Sequence, residues 1–180
     1  MKIQDGKGKG NFAQVDDENR VHTFSVIEPE DKHINREGKV WSVLANTTPA
    51  GSGDGIFYFK NTGTAEIAFT DIRVSCAGAS QLNIKQVSGT PTFASGTDLT
   101  PVARNLGSSK TITGTIKQDT NTTSLTDEGT LFFIECPAAD TLYHLSTSSN
   151  IIIPQGQAIA MYTTGTTAVE SLWSFASLES

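Results

Sequence analysis

The chain has few of the residues that build metal and redox sites. Its three histidines, His22, His33 and His144, lie on separate segments without the spacing of a metal-binding pair. Its two cysteines, Cys76 and Cys136, form neither a metal-binding nor a redox motif. We therefore expect no metal and no cofactor. The cysteines are either two reduced core thiols or a disulfide formed in an oxidising environment.

Charged residues and long apolar runs are also scarce. Only 18% of the residues are charged, the net charge is -6 and the pI is near 5.0. A nucleic-acid groove needs clustered Lys and Arg, so we expect no nucleic-acid partner. No run approaches the roughly 20 apolar residues of a membrane span, and the N-terminus lacks the apolar region of a secretory signal. We expect no association with a membrane. We expect the protein to be made in the cytoplasm.

Motifs of the common enzyme classes are missing. There is no Gly-x-Ser-x-Gly elbow and no phosphate loop. The acidic stretch 16–19 lacks the spacing of a calcium loop. Glu66, Asp71 and Glu135 lie in predicted strands and could serve as the acid and nucleophile of a glycosidase, although such residues more often face solvent. We expect that the protein is not an enzyme. A small hydrolase is the third hypothesis, after the two that are given at the end of this section.

Short β-prone segments separated by turn residues dominate the chain. Thr, Ser, Gly and Asn make up most of the non-apolar residues, which suits pleated strands and tight turns. The clearest example is the stretch 151–162, in which a Pro154-x-Gly156 turn separates two strands. About ten short strands at regular spacing predict an all-β fold. We expect an antiparallel β-sandwich that is jelly-roll-like.

Local patterns give further expectations. A β-hairpin is predicted over 56–75, with its turn at 61–63 and a bulge near Asp71. A polar loop is predicted over 118–129. Alternation of apolar residues predicts the core positions to within one residue in each strand. The predicted core consists of Phe24, Trp41, Phe57, Phe59, Phe69, Ile84, Phe133, Ile152, Ile159 and Trp173.

One segment has the pattern of a short helix, near 101–106. Asp98 or Thr100 can cap it, Pro101 suits its first position, and Gly107 follows its last residue. We expect one or two turns that cover one end of the sandwich.

The N-terminal residues differ from the rest of the chain. Residues 1–20 are predicted to be an extended arm, and residues 21–180 a single β-sandwich domain. The first part of the arm is rich in Gly and Lys, and its charge is opposite to that of the acidic domain, which suits an acidic partner surface. The arm residues predicted to bind a partner are Lys2, Lys7, Lys9, Phe12 and Arg20.

The segment Gly96–Ser108 contains a Thr-Pro-x-x-x-Asn-x-Gly-Ser stretch. It resembles a segment that recurs in tailed-bacteriophage virion proteins. Three more segments are similar to parts of the same family: Ala13–Val21, Phe57–Gly63 and Ile151–Ala160. Together the four segments span most of residues 10–175.

The resemblance implies a capsid decoration (cement) protein with a jelly-roll domain. Such a protein would bind the major capsid protein on the outer head surface of the virion and form a homo-oligomer, with a trimer favoured. The family implies no catalytic residues. The alternative is a tail- or fibre-associated module that binds a host glycan through exposed aromatic side chains. Trp41, Tyr58 and Trp173 lie in predicted strands, where we expect them to be buried.

Overall fold

The structure, a computed structural model, describes residues 2–4, 12–15, 21–22 and 34–178. The chain divides into two compact units, Met1–Lys32 and His33–Ser180. The predicted domain boundary after residue 20 falls inside the first unit. That unit contains a three-stranded antiparallel sheet of β1 (Lys2–Gln4), β2 (Phe12–Val15) and β3 (Val21–His22).

The second unit is built from two antiparallel five-stranded sheets, preceded by a helical turn at 34–36. This confirms the all-β antiparallel sandwich, while jelly-roll connectivity stays a prediction. The strands are β4 (Val40–Thr47), β5 (Gly55–Asn61), β6 (Glu66–Cys76), β7 (Ser80–Phe93), β8 (Thr97–Asp98), β9 (Val102–Ala103), β10 (Gly114–Cys136), β11 (Leu142–Ile153), β12 (Ala158–Thr163) and β13 (Val169–Leu178).

The first sheet has the order β11-β6-β13-β4-β9, and the second has the order β5-β12-β7-β10-β8. The long strand β10 pairs twice, first with β5 and then with β7. The strands β10, β5, β12 and β7 are therefore joined in a closed ring, in which each strand pairs with the next and β7 pairs with β10. The predicted polar loop over 118–129 is wrong, because the length of β7 offers these residues a pairing partner and their threonines suit a solvated strand.

Stacked aromatic rings fill the space between the sheets. Phe57 stacks on Trp173 with ring centroids 4.0 Å apart, and Phe59 stacks on Phe175 at 4.7 Å. Tyr58 alternates with these residues along β5 and joins a second, smaller cluster with residues of β7 and β12. Because β5 is covered on both faces, it forms the centre of the packing.

The predicted core is largely confirmed, with two errors of register. Phe133 is 61% exposed and Ile152 is 40% exposed, whereas their neighbours Ile134 and Ile153 are buried. A shift of one residue moves a side chain to the other face of a strand, which explains both errors. Phe24 lies outside the described residues. The remaining predicted residues are buried: Trp41, Phe57, Phe59, Phe69, Ile84, Ile159 and Trp173.

The predicted hairpin over 56–75 is wrong, although both of its strands exist. β5 lies in the second sheet and β6 in the first, so the turn after Asn61 crosses between the sheets. Turn residues mark a reversal of the chain but do not determine which strands pair. The bulge near Asp71 is confirmed, because the pairing of β13 with β6 skips Thr70.

The predicted helix near 101–106 is also wrong. Val102 and Ala103 form β9 at the edge of the first sheet, where Ala103 pairs with Trp41. The backbone N–H of Arg104 donates to the carbonyl of Val40 at 2.9 Å. An isolated helix this short is marginal, so the hydrogen bonds that the edge of β4 offers outweigh the local capping pattern.

Candidate functional site

The predicted arm residues are only partly within the described chain. Lys2 lies in β1 and Phe12 in β2, and these strands pair with Lys2 opposite Gln14. The structure thus places these two residues in one small sheet. Lys7, Lys9 and Arg20 lie outside the described residues, so binding through the arm stays a prediction.

A mostly apolar groove lies beside Trp41. It has a volume of about 540 Å³ and is formed by Trp41 and residues of the stretch 100–112. The indole N–H of Trp41 donates to the carbonyl of Lys110 at 3.3 Å, which holds that stretch against β4. Val102 and Leu106, which line the groove, are 60% and 93% exposed. The groove can accept apolar side chains of a partner.

A second cavity shares Trp41 and residues 109–112 with the groove. Its volume is about 300 Å³, and its lining is more polar, with Lys39 and Asn61 among the residues that contribute. The two cavities therefore adjoin each other at this end of the sandwich. They adjoin two of the segments that carry the family resemblance.

Hydrogen bonds fasten the groove-forming segment to the residues before β4. The side-chain amide of Asn105 donates to the carbonyl of Arg36 at 2.9 Å, and the Ser108 hydroxyl donates to the carbonyl of Gly38 at 3.2 Å. Gly38 has a φ of 74°, and a Cβ there would lie 2.1 Å from the Ser108 hydroxyl oxygen. Only glycine therefore allows this close approach.

Asn61 organises the adjacent turns. Its side chain is fully buried and its amide donates to the carbonyls of Ala65 and Ile153, each at 2.8 Å. Its backbone N–H donates to the carbonyl of Gln157, and its carbonyl accepts from the N–H of Gly156. The turn after β5 and the Pro-x-Gly turn before β12 are consequently one hydrogen-bonded unit.

Asp119 performs a similar role at residues 94–96, which precede the groove-forming stretch 100–112. Its buried carboxylate accepts hydrogen bonds from the backbone N–H groups of Ala94, Ser95 and Gly96 and from the hydroxyl of Thr122. Burial works to raise the pKa of Asp119, but these backbone bonds and the Ser95 hydroxyl outweigh it and lower the pKa to about 2. Sequence reasoning missed Asp119, since no spacing motif marks an acid of this kind.

Two strands carry most of the exposed apolar side chains. Of the seven large hydrophobic residues that are exposed in the described chain, Leu131 and Phe133 lie on β10, and Leu142 and Ile152 lie on β11. β11 ends the first sheet. Residues 137–141 connect the two strands. Because β10 and β11 belong to different sheets and the neighbours of these residues face the core between them, the exposed side chains of the two strands project from opposite faces of the sandwich.

The reactive side chains are scattered. Asp71 bonds to His144 on the neighbouring strand at 2.5 Å, and Arg73 lies 3.7 Å from the same carboxylate. Glu66 shares β6 with Asp71, but Glu135 lies on β10 in the other sheet. Within the described residues, no group of three or more His, Cys, Asp or Glu side chains could hold a metal ion.

The two cysteines lie at strand ends. Cys76 ends β6 and Cys136 ends β10, and both side chains are buried and free. Burial and, to a smaller extent, the neighbouring Cys136 raise the pKa of the Cys76 thiol to about 12, so the thiol stays protonated at neutral pH. This arrangement agrees with the reduced-thiol alternative.

Comparison with protein-family models, curated proteins and solved structures finds no significant match to this chain. Among the described residues, no helix has the length and apolar character needed to cross a membrane.

Proposed function

We propose that the protein is a tailed-bacteriophage virion structural protein that decorates the head. It binds the major capsid protein on the outer shell, bridges neighbouring capsid subunits as a homo-oligomer, with a trimer favoured, and performs no chemistry. One observation carries this proposal. Asn61 hydrogen-bonds the segment Phe57–Gly63 to the segment Ile151–Ala160, and it lines the cavity next to the groove that Gly96–Ser108 helps to form.

This clustering strengthens the family resemblance. Each segment alone is a weak motif, and Asn61 and Ile153 are separated by 92 positions in the sequence. Chance motifs have no reason to meet in space, whereas parts of one inherited structural unit do. The support therefore comes from the contact between the segments.

The fold suits a bridging role. Stacked aromatic rings fill the space between the sheets. Residues 1–14 would span at most about 46–50 Å if they were fully extended, and because β1 pairs with β2 within them, this reach requires the two strands to separate. A protein that binds only the assembled shell stabilises that shell by mass action. Individually weak contacts are sufficient, because several linked contacts raise the effective affinity.

The alternative, a tail or fibre module that binds a host glycan, has less support. A sugar platform uses exposed Trp or Tyr rings, whose polar atoms add hydrogen bonds. In the described chain Trp41, Tyr58 and Trp173 are at most 3% exposed. Phe133 is exposed, but its ring has no polar atom.

The test is binding of purified protein to isolated heads and isolated tails that lack it. The full chain should sediment with heads in many copies and leave tails unbound. Deletion of residues 1–14 should leave the melting temperature almost unchanged and reduce occupancy on heads. Unchanged occupancy would eliminate the arm as the binding element. Binding to tails alone would contradict the head assignment and favour the glycan-binding alternative.

A further inference from the structure

We propose that Cys76 and Cys136 are a redox-sensitive pair, which stays reduced inside the cell and forms a disulfide between the two sheets when the protein meets a small-molecule disulfide in an oxidising environment. Both thiols are free in the structure. The inference goes beyond the proposed function, which supplies only the reason why the protein would leave the reducing cytoplasm. The disulfide itself can be tested on the purified chain.

Two short connections bring the cysteines close to each other. Cys76 ends β6, and Ser80, which begins the next strand, is the ladder partner of Cys136 in the second sheet. Cys136 ends β10, and Asp140, in the connection that follows, donates its backbone N–H to the carbonyl of Cys76 at 2.8 Å. The backbone on each side of the pair is therefore held to the other cysteine.

The two side chains meet in the core. Both are fully buried and belong to the same hydrophobic cluster. Burial and a hydrogen bond between the two side chains raise the pKa of Cys76, whereas the same bond works to lower the pKa of Cys136, which burial raises. The opposite effects identify the Cys76 thiol as the donor and the Cys136 sulfur as the acceptor. The sulfurs are thus in contact, and a disulfide requires them to approach to about 2 Å.

The oxidation consists of two thiol–disulfide exchanges. The Cys136 sulfur, as a thiolate, attacks one sulfur of the small disulfide, so that a mixed disulfide forms and one small thiol leaves. The Cys76 sulfur then attacks the Cys136 sulfur, which forms the bond between the sheets and releases the second small thiol. The cysteines lose two electrons, the small disulfide gains them, and the two cysteine protons end on the released thiols.

Burial makes this reaction slow while the protein is closed. The thiolate is the attacking species, and burial disfavours it at both cysteines. The small disulfide therefore reaches the pair only when the surrounding structure opens. Both cysteines are the last residues of their strands, where local opening costs less than in the middle of a strand. The pair suits a slow change after release from the cell.

The disulfide would hold the sheets together at the end of β6 that is far from Asn61. β6 begins beside the segment that Asn61 binds, since Ile67 pairs with Ile153, and it ends at Cys76. The hydrogen bonds of Asn61 and the disulfide would therefore connect the two sheets at opposite ends of one strand. A cross-link between cysteines so far apart in the sequence also restricts the unfolded chain, so the oxidised protein should be the more stable form.

The experiment incubates the purified full chain with oxidised glutathione, and a sample kept in a reducing agent is the matched condition. After unfolding and alkylation, mass spectrometry should find both cysteines alkylated in the reduced sample and neither in the oxidised one. Peptide mapping should find Cys76 linked to Cys136. The oxidised wild type should melt at least about 5 °C above the reduced one. Urea below the unfolding midpoint should accelerate the oxidation, because it makes opening more frequent.

The controls are Cys76→Ala and Cys136→Ala. Each variant is compared with itself under the two conditions, so a general loss of stability does not affect the result, and neither should melt at a higher temperature after oxidation. Cysteines that stay alkylatable, a final product that keeps glutathione, a link between two copies, or an oxidised wild type that melts no higher than the reduced one would overturn the inference. A stabilising disulfide in a protein that does not bind heads would leave the inference standing and contradict the proposed function.

Discussion

The side-chain amide of Asn61 donates a hydrogen bond to the carbonyl oxygen of Ile153, 2.8 Å away and in the opposite sheet. Asn61 also donates to the carbonyl of Ala65 and is hydrogen-bonded to the Pro-x-Gly turn. It therefore connects three segments at this end of the sandwich. Because the side chain is fully buried, water cannot replace these bonds when they are lost.

Replacement of Asn61 should therefore be costly. Asn61→Ala should lower the free energy of unfolding by about 2–4 kcal/mol, because it leaves the buried carbonyls of Ala65 and Ile153 without a donor. Asn61→Asp should cost more at pH 7, since it points a charged acceptor at the same carbonyls. Urea unfolding measures both. Asn46→Ala, at an exposed asparagine of β4, is the control and should change stability by less than about 0.5 kcal/mol. A loss of that small size for Asn61→Ala would contradict the role given to Asn61.

The carboxylate of Asp119 should make stability depend on pH. Its pKa is lowered from the ordinary value of 3.8 to about 2, so its contribution of about 2 kcal/mol is fully present above pH 4 and decreases as the pH falls towards 2. Asp119→Asn should be less stable than the wild type at pH 7, and the difference should shrink as the pH falls below 4. Urea unfolding at several pH values measures this dependence.

The matched control for Asp119 is Asp98→Asn. Asp98 contacts Lys117, but its side chain is 81% exposed, so its removal should have little effect at any pH. If Asp119→Asn and Asp98→Asn showed the same small effect at pH 7, the hydrogen bonds of Asp119 would not be the cause of the stability.

The exposure of Phe133 gives a prediction opposite to the one that its sequence pattern suggests. Phe133→Ala should lower the free energy of unfolding by less than about 1 kcal/mol, because the ring is 61% exposed. Phe57→Ala should cost about 3–5 kcal/mol, since it removes a fully buried ring that stacks on Trp173. Chemical denaturation of the two variants tests the register of β10. Equal and large losses would show that Phe133 packs in the core.

The sequence predicts the fold class and most of the core, because alternation and turn residues are local signals. Local signals predict where β5 and β6 lie in the sequence. They do not predict that the two strands belong to different sheets, because that depends on pairing between residues far apart in the sequence. The capping pattern around Pro101 is a genuine local signal that the edge of β4 overrides through its pairing with β9.

The groove could not be predicted for a related reason. The groove beside Trp41 forms only when the stretch 100–112 crosses β4, and that crossing depends on bonds between residues far apart in sequence, such as Asn105 and Arg36.

The central claim is that the protein stabilises a capsid and performs no chemistry, and heat release of the genome tests it most directly. Particles with and without the protein are warmed at low salt, and release of DNA is followed with a dye. The account predicts that particles lacking the protein assemble but release their genome at a lower temperature, and that addition of purified protein restores the original curve. Identical curves, with the protein confirmed on the head, would contradict the account.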